Sequence, residues 1–301
     1  MDRRGQAAPQ GGLAAPVHQS PPCWRKPSAR GIVAPGEPCV RPGGVALDAE
    51  TSGAAEEAVL EGHIAVTAAL EARSREIRRI LIARDKREDP AVARLLQRAR
   101  AAGVAVQRVD AAAIAERASG QTHGGVIALV GPRRFVGLGD LIAGKERPCI
   151  VMLDGVEDPF NFGDATRSLY AAGIDGLVLR PRNWTSAAAV VGRASAGASE
   201  RLPMAVAETA LDAAAFFKAR GLALACAVKH NAVPLFEADL AQPLFLVIGG
   251  EKRGISRSLV EQADLLVQIP YGRPFAASLG TASATAVMAF EIERQRRQRQ
   301  G

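Results

Sequence analysis

DGVEDPFNFGDATRSLYAAG, residues 154–173, is the stretch that decides the fold. It follows the apolar run CIVML (149–153), so it begins where a buried strand ends, and Asp158-Pro159 announces a helix start. Two further clusters sit at equivalent places: VIGGEKRGIS (247–256) closing one apolar run, and IPYGRPFAASLGTASATAVMAFE (269–291) following another. Ligands of open α/β sheets bind beyond the carboxyl ends of the strands. Three glycine-bearing polar clusters at strand ends therefore mark one candidate site.

Around them, LYAAGIDGLVLR, ARGLALACAV, PLFLVIGG and ADLLVQIP supply strands between helical stretches. The rhythm predicts an α/β fold with a mostly parallel sheet covered on both faces. Upstream, Val59, Leu60, Ile64, Val66 and Leu70 fall near helical spacing, predicting a helix from Glu56. A strand over Ile77–Ile82, a helix from Asp89-Pro90 to Gly103, a strand in VAVQRVD, a helix in AAAIAERASG and a closing strand in GGVIALVG complete a compact α/β unit over 56–132. Residues 133–147 mix glycine, proline and charge and read as a linker. The second unit spans 148–293, and RQRRQRQ begins a solvated basic tail over 294–301. Residues 1–55 read as a disordered arm: 8 prolines and 7 glycines fall within 1–46, too little apolar surface to repay ordering. Pro9, Pro16, Pro21, Pro22 and Pro27 break any amphipathic targeting helix there.

The chain has 301 residues, 48% hydrophobic and 4% aromatic, with 38 basic against 31 acidic side chains, a net +7. This balance favours a polyanionic partner. Cys23, Cys39, Cys149 and Cys226 form no CxxC pair and have no histidine at zinc spacing, so neither a disulfide framework nor a metal site is expected. No apolar stretch reaches the ~18 residues of a membrane span, and a cytoplasmic location is expected. Gly137, Gly139 and Gly144 miss the dinucleotide fingerprint, GGEKRGIS is no phosphate-binding loop, and HExxH and GxSxG are missing. A nicotinamide-dependent oxidoreductase is accordingly disfavoured.

In order and spacing, the three clusters resemble the signature motifs of the SpoU-type (TrmH family) RNA 2'-O-methyltransferases of the SPOUT superfamily. LEGHIAV (60–66) and THGGVIALV (122–130) resemble the start and end of the L30e-like RNA-binding domain that many of these enzymes carry. The resemblance covers roughly residues 56–293. It implies a trefoil-knotted SPOUT domain preceded by a small L30e-like α/β domain, S-adenosylmethionine as cofactor, structured RNA as partner (rRNA before tRNA), no metal, and a homodimer bordering the site. Asn161 and Arg167 match the NxGxxxR motif, and Glu251 the glutamate of the second cluster, as catalytic residues. Gly249, Gly250, Ile269, Ser278 and Leu279 match the cofactor-binding positions. The glycines admit a close backbone approach or sharp turn, and Ile269 with Leu279 is expected to wall an apolar slot. Arginine is too basic to act as a free base, so Arg167 is expected to relay a proton or stabilise the emerging alkoxide. Glu251 is expected to orient Asn161 or a main-chain amide, and Ser278 to cap amides near a helix start or touch substrate.

One position departs from the family pattern. The third cluster reads Ser278-Leu279-Gly280 where Ser-Leu-Asn is usual, with the loop from Ile269 one residue longer, and Thr281, Ser283 and Arg273 are the candidate substitutes. The rival reading is therefore a non-catalytic RNA-binding protein on the same scaffold; a tRNA 2'-O-methyltransferase is the other alternative. Arg73, Arg75, Arg78 and Arg79 are candidate phosphate contacts, and Trp184 a candidate stacking residue, with a buried role as its simpler reading. His63 and His123 read as structural.

Overall fold

The computed structural model describes residues 57–181 and 187–299. The expected arm over 1–55, with Cys23 and Cys39, and Trp184 lie outside the described residues.

The first sheet is built from β1 (Ala58–Glu61), β2 (Arg75–Ala83), β3 (Val106–Val109) and β4 (Val126–Arg133), ordered β1-β4-β2-β3. Helices α1 (His63–Ala72), α2 (Pro90–Ala101) and α3 (Ala111–Ala115) connect the strands. The start of this region differs from the sequence expectation. Val59 and Leu60 belong to a strand paired antiparallel with β4, and the helix begins only after Gly62, whose φ of +83° a side-chain-bearing residue rarely adopts. Ile64 is half exposed as a result. The second helix starts as its cap signal predicts: the Asp89 carboxylate accepts from the Ala91 and Val92 amides, each at 2.9 Å.

The second sheet follows, through β5 (Cys149–Asp154), α4 (Pro159–Ala171), β6 (Gly176–Leu179), α5 (Ala188–Ala194), α6 (Ala198–Arg201), β7 (Met204–Val206), α7 (Ala210–Lys218), β8 (Ala223–Ala227), β9 (Val233–Pro234), β10 (Leu244–Gly249), α8 (Arg257–Val260), β11 (Leu265–Gln268) and α9 (Thr281–Gln298). Its order is β7-β6-β5-β10-β8-β11-β9, and its strand pairs are parallel. Both faces are covered. Leu153, Phe162, Leu169, Leu246, Met288 and Ile292 share one buried cluster; Ile150, Met152, Phe217, Phe245 and Val247 share another. The adjacency of β5 and β10 brings the first two sequence clusters side by side, because their carboxyl ends, Asp154 and Gly249, are in register.

Within residues 133–147, expected as a linker and mostly exposed, several positions contact the second sheet system. Val136 bridges to Ala205, and Leu141 is buried so closely on Gly176 that a Cβ there would lie 2.7 Å from it. Four ion pairs join the two sheet systems. The buried Glu200 of α6 accepts from Ser74 Oγ at 2.5 Å and pairs with Arg75 at 3.1 Å and Arg133 at 3.3 Å. Glu61 pairs with Arg193 of α5, and Glu71 with Arg201 at 2.7 Å. Burial pulls the pKa of the Arg133 guanidinium down to about 10, Glu200 opposing the fall and the like charge of Arg75 adding to it. Ala188 of α5 completes the core of the first sheet.

These contacts remove Arg75 from the expected basic surface and leave Arg73, Arg78 and Arg79 exposed. Arg75 serves the fold rather than a phosphate, Arg78 pairs with Glu57 at 3.6 Å and Arg79 reaches Gln107 at 3.4 Å. The basic tail expected over 294–301 is helical as far as Gln298. Arg296 donates to the carbonyls of Arg147, Pro148 and Gln242, while Arg294, Arg297 and Arg299 pair with Glu291, Glu293 and Asp239. Arg296 thereby ties the last helix to the core, while Arg294, Arg297 and Arg299 stay solvent-exposed beside their carboxylates.

Candidate active site

Asp158 caps α4 by accepting from the Asn161 amide at 2.8 Å, and Pro159 occupies the first turn. That geometry fixes Asn161 on the first turn of the helix. Its side-chain Nδ2 donates to Glu251 Oε1 at 2.9 Å, joining the first cluster to the second. The Thr281 amide, opening α9 in the third cluster, also approaches Glu251 Oε1, at 3.5 Å. One carboxylate thus gathers all three clusters.

A cavity of about 750 Å³ lies beyond the ends of β8, β10 and β11. Gly249, Gly250, Glu251, Ile269, Ser278 and Leu279, all singled out in the sequence, line it. Its apolar wall adds Ile248, Ile255, Val260 and Met288. A volume of this size suits a small organic ligand. A second cavity, about 360 Å³, is lined by Asp158, Asn161 and Lys252 among others, and it shares Glu251 and Thr281 with the first. The Asn161–Glu251 hydrogen bond therefore stands beside the common wall of two chambers.

The two glycines serve chain packing. A Cβ on Gly249 would lie 2.6 Å from the Gly254 carbonyl carbon, and one on Gly250 2.2 Å from the Gly155 carbonyl oxygen. The loop after β10 is folded onto itself and onto the 155–156 turn, with an isolated bridge between Gly250 and Gly254. Substitution at Gly249 consequently tests loop folding before it tests cavity occupancy. Ser278 lines the cavity but does not cap α9, whose N-cap is Gly280 with no side-chain bond.

Arg167 is not brought into either chamber. It stands two turns along α4 from Asn161, exposed, with no ion pair among the described residues. Of the candidate substitutes for the missing motif-three amide, Thr281 lines both cavities, whereas Arg273 and Ser283 are exposed and line neither. Two polar side chains of the cavity escaped the sequence reading. Lys229, just past β8, lines the larger chamber and donates to the Ala276 carbonyl; Tyr271 lines it and accepts from the Leu279 amide at 3.1 Å. Their position at strand ends was the available signal. Among the described residues no group of three or more His, Cys, Asp and Glu is placed to hold a metal ion, and no helix is long and apolar enough to cross a membrane.

Comparison with known proteins gives the same regions a family. Residues 148–290 match the SpoU rRNA Methylase family, and residues 59–136 match the RNA 2'-O ribose methyltransferase substrate binding family. The 23S rRNA (guanosine-2'-O-)-methyltransferase RlmB of Shewanella oneidensis is 31% identical over 214 residues, 70% of this chain and 87% of its own length. The AdoMet-bound rRNA methyltransferase of Sinorhizobium meliloti superposes with a TM-score of 0.67 at 26% identity, covering 79% of this chain and 87% of that one. The SpoU methyltransferase AviRb of Streptomyces viridochromogenes, solved with AdoMet, has the same fold: TM-score 0.67, 24% identity, 81% of this chain and 92% of its own. On the first two of these likenesses and the paired family matches, the chain belongs to the SpoU rRNA methylase family.

Proposed function

We infer that this protein transfers the methyl group of S-adenosylmethionine to a ribose 2'-hydroxyl of ribosomal RNA. The observation that carries the reading is the Asn161–Glu251 hydrogen bond at the wall shared by two adjoining cavities. Family membership supplies the reaction class, and the name of the Shewanella relative favours rRNA over tRNA.

The residues of the larger cavity fit the cofactor. Ile248, Ile255, Ile269, Leu279 and Met288 offer an apolar slot for a heteroaromatic ring, and Glu251 with Lys229 offers both signs of charge for a zwitterionic, cationic tail. When bound, S-adenosylmethionine supplies an electrophilic methyl group. The chain's own work is positioning and charge stabilisation. Glu251 accepts from Nδ2 of Asn161, which leaves the Asn161 Oδ1 available to accept from a ribose hydroxyl in the smaller chamber. Thr281 at the shared wall contributes its main-chain N–H where the third cluster lacks an amide side chain. The guanidinium of Arg167 favours the alkoxide or an adjoining phosphate over the neutral hydroxyl, and the hydroxyl proton leaves to that phosphate or to water.

Arg167 needs a route into the site. It shares the exposed stripe of α4 with Phe160, and α4 packs on α9, which exposes Val287 and Phe290. Covering this apolar face with a second copy makes the homodimer and puts Arg167 at an interface bordering the chambers. The trefoil threading of the segment before α9 and a cytoplasmic location belong to the same reading. A binding-only protein is the alternative, favoured by Gly280, which presents no side-chain amide to the cavity it lines.

Incubation with methyl-labelled S-adenosylmethionine and undermethylated ribosomal RNA tests the proposal. Label retained in alkali-resistant dinucleotides supports ribose methylation. RNA binding with no transfer in a protein that binds the cofactor supports the alternative.

A further inference from the structure

The loop between β11 and α9 contains Tyr271-Gly272-Arg273-Pro274-Phe275, and two contacts hold it. The Tyr271 hydroxyl accepts from the Leu279 amide at 3.1 Å, and the Lys229 ammonium holds the Ala276 carbonyl from across the cavity mouth. Pro274 restricts the backbone between Arg273 and the second ring. The Tyr271 and Phe275 rings lie 6.0 Å apart at 57°, yet they remain 37% and 56% exposed. A chain that is only 4% aromatic thus holds two rings in solvent at the rim of its ligand cavity.

The surroundings select the occupant. No carboxylate lies within 269–280, Arg273 stands between the two rings in sequence, and exposed Arg253 follows Glu251 and Lys252 on the facing loop, Lys252 itself pairing with Glu157 at 2.7 Å. Ring faces beside exposed cations match a planar base on a phosphate backbone. The exposed apolar residues of α4 and α9 are different: Arg294 and Arg297 of α9 are already paired with carboxylates. A base in a duplex presents only its edges, so a ring platform selects an unpaired one.

We propose that Tyr271 and Phe275 form a stacking platform for an unpaired nucleobase of the RNA substrate, with Arg273 on the adjoining phosphate. The inference rests on the methyltransferase reading and adds the substrate class: a loop, bulge or single-stranded nucleotide, held at the mouth of the cofactor cavity. Tyr271 and Phe275 are binding residues, and Lys229 positions their loop.

The test uses a 12-nucleotide single-stranded RNA carrying one 2-aminopurine, whose fluorescence is quenched on stacking, titrated with the full chain. The wild type and Phe275→Trp are expected to quench it. Phe275→Leu, which keeps apolar bulk but removes the π face, is expected to lose the quench and weaken binding about tenfold or more. Arg273→Gln is expected to weaken binding and reduce the salt slope by about one. Calorimetric S-adenosylmethionine binding, unchanged in these variants, shows that they are folded. Undiminished quenching in Phe275→Leu overturns the proposal, as does wild-type binding without quenching. A variant that changes oligomeric state at unaltered RNA affinity also overturns it, assigning the rings to a contact between copies. Quenching by a wild type that neither binds the cofactor nor transfers methyl would sink the methyltransferase reading and leave the stacking site standing.

Discussion

Asn161 and Glu251 stand 90 positions apart in the chain and 2.9 Å apart in space, the amide Nδ2 donating to the carboxylate. Charge-assisted hydrogen bonds are worth ~1.5–3 kcal/mol. Glu251→Ala is therefore expected to slow methyl transfer by about tenfold to a hundredfold. Glu251→Gln, which still accepts from Nδ2, should lose less. Single-turnover rates at saturating cofactor make the comparison.

Glu200 is the only carboxylate among the described partners of Arg75 and Arg133, and its side chain is 1% exposed. Glu200→Ala strands two guanidiniums in a low-dielectric interface. The expected cost is ~3–5 kcal/mol, or a melting temperature lower by roughly 10 °C for a domain of this size. Differential scanning calorimetry measures it, and Glu200→Gln should recover part of the loss.

Gly250 and Gly280 line the same cavity but tolerate a methyl group differently. A Cβ on Gly250 meets the Gly155 carbonyl oxygen at 2.2 Å; on Gly280 the nearest atom is Glu251 Oε1 at 3.9 Å, and φ is −58°. Gly250→Ala is expected to lower both melting temperature and cofactor affinity. Gly280→Asn should fold normally, gaining a few tenths of a kcal/mol (~0.3) from the added N-cap. Paired melting curves and cofactor titrations decide between steric and neutral behaviour.

Burial pushes the Cys149 thiol up to about 12, with Asp175 adding to the rise and Arg296 opposing it, and burial alone brings Cys226 to about 12. The sign is protective, because the thiolate is the reactive form. Iodoacetamide at pH 8 should leave both cysteines unmodified in the native protein and alkylate them in denaturant, read by peptide mass mapping. Native-state labelling of Cys149 would contradict its placement in the sheet.

Much of the candidate site is legible in sequence because its signals are local. Strand-end position, the Asp158-Pro159 cap and the glycine pair all lie within a few residues of the groups they organise. The β1 error has the opposite origin: AVLE satisfies helical spacing, and only pairing with β4 and the contact of Glu61 with Arg193, 132 residues away, makes it a strand. Arg75 and Arg296 look like solvated cations until Glu200 and three carbonyls are brought to them by the fold. Lys229 escapes notice for the same reason, since Ala276 is 47 positions distant. The glycines of the second cluster are legible as close-approach positions, but what approaches is this chain's own backbone.

The central claim is tested most directly by mapping ribose methylation across the ribosomal RNA of cells with and without the gene. The account predicts that 2'-O-methylation disappears at a discrete position, at an unpaired nucleotide, and returns when purified protein and S-adenosylmethionine are added to that RNA. An unchanged map, with no transfer to the RNA of deleted cells, would contradict it.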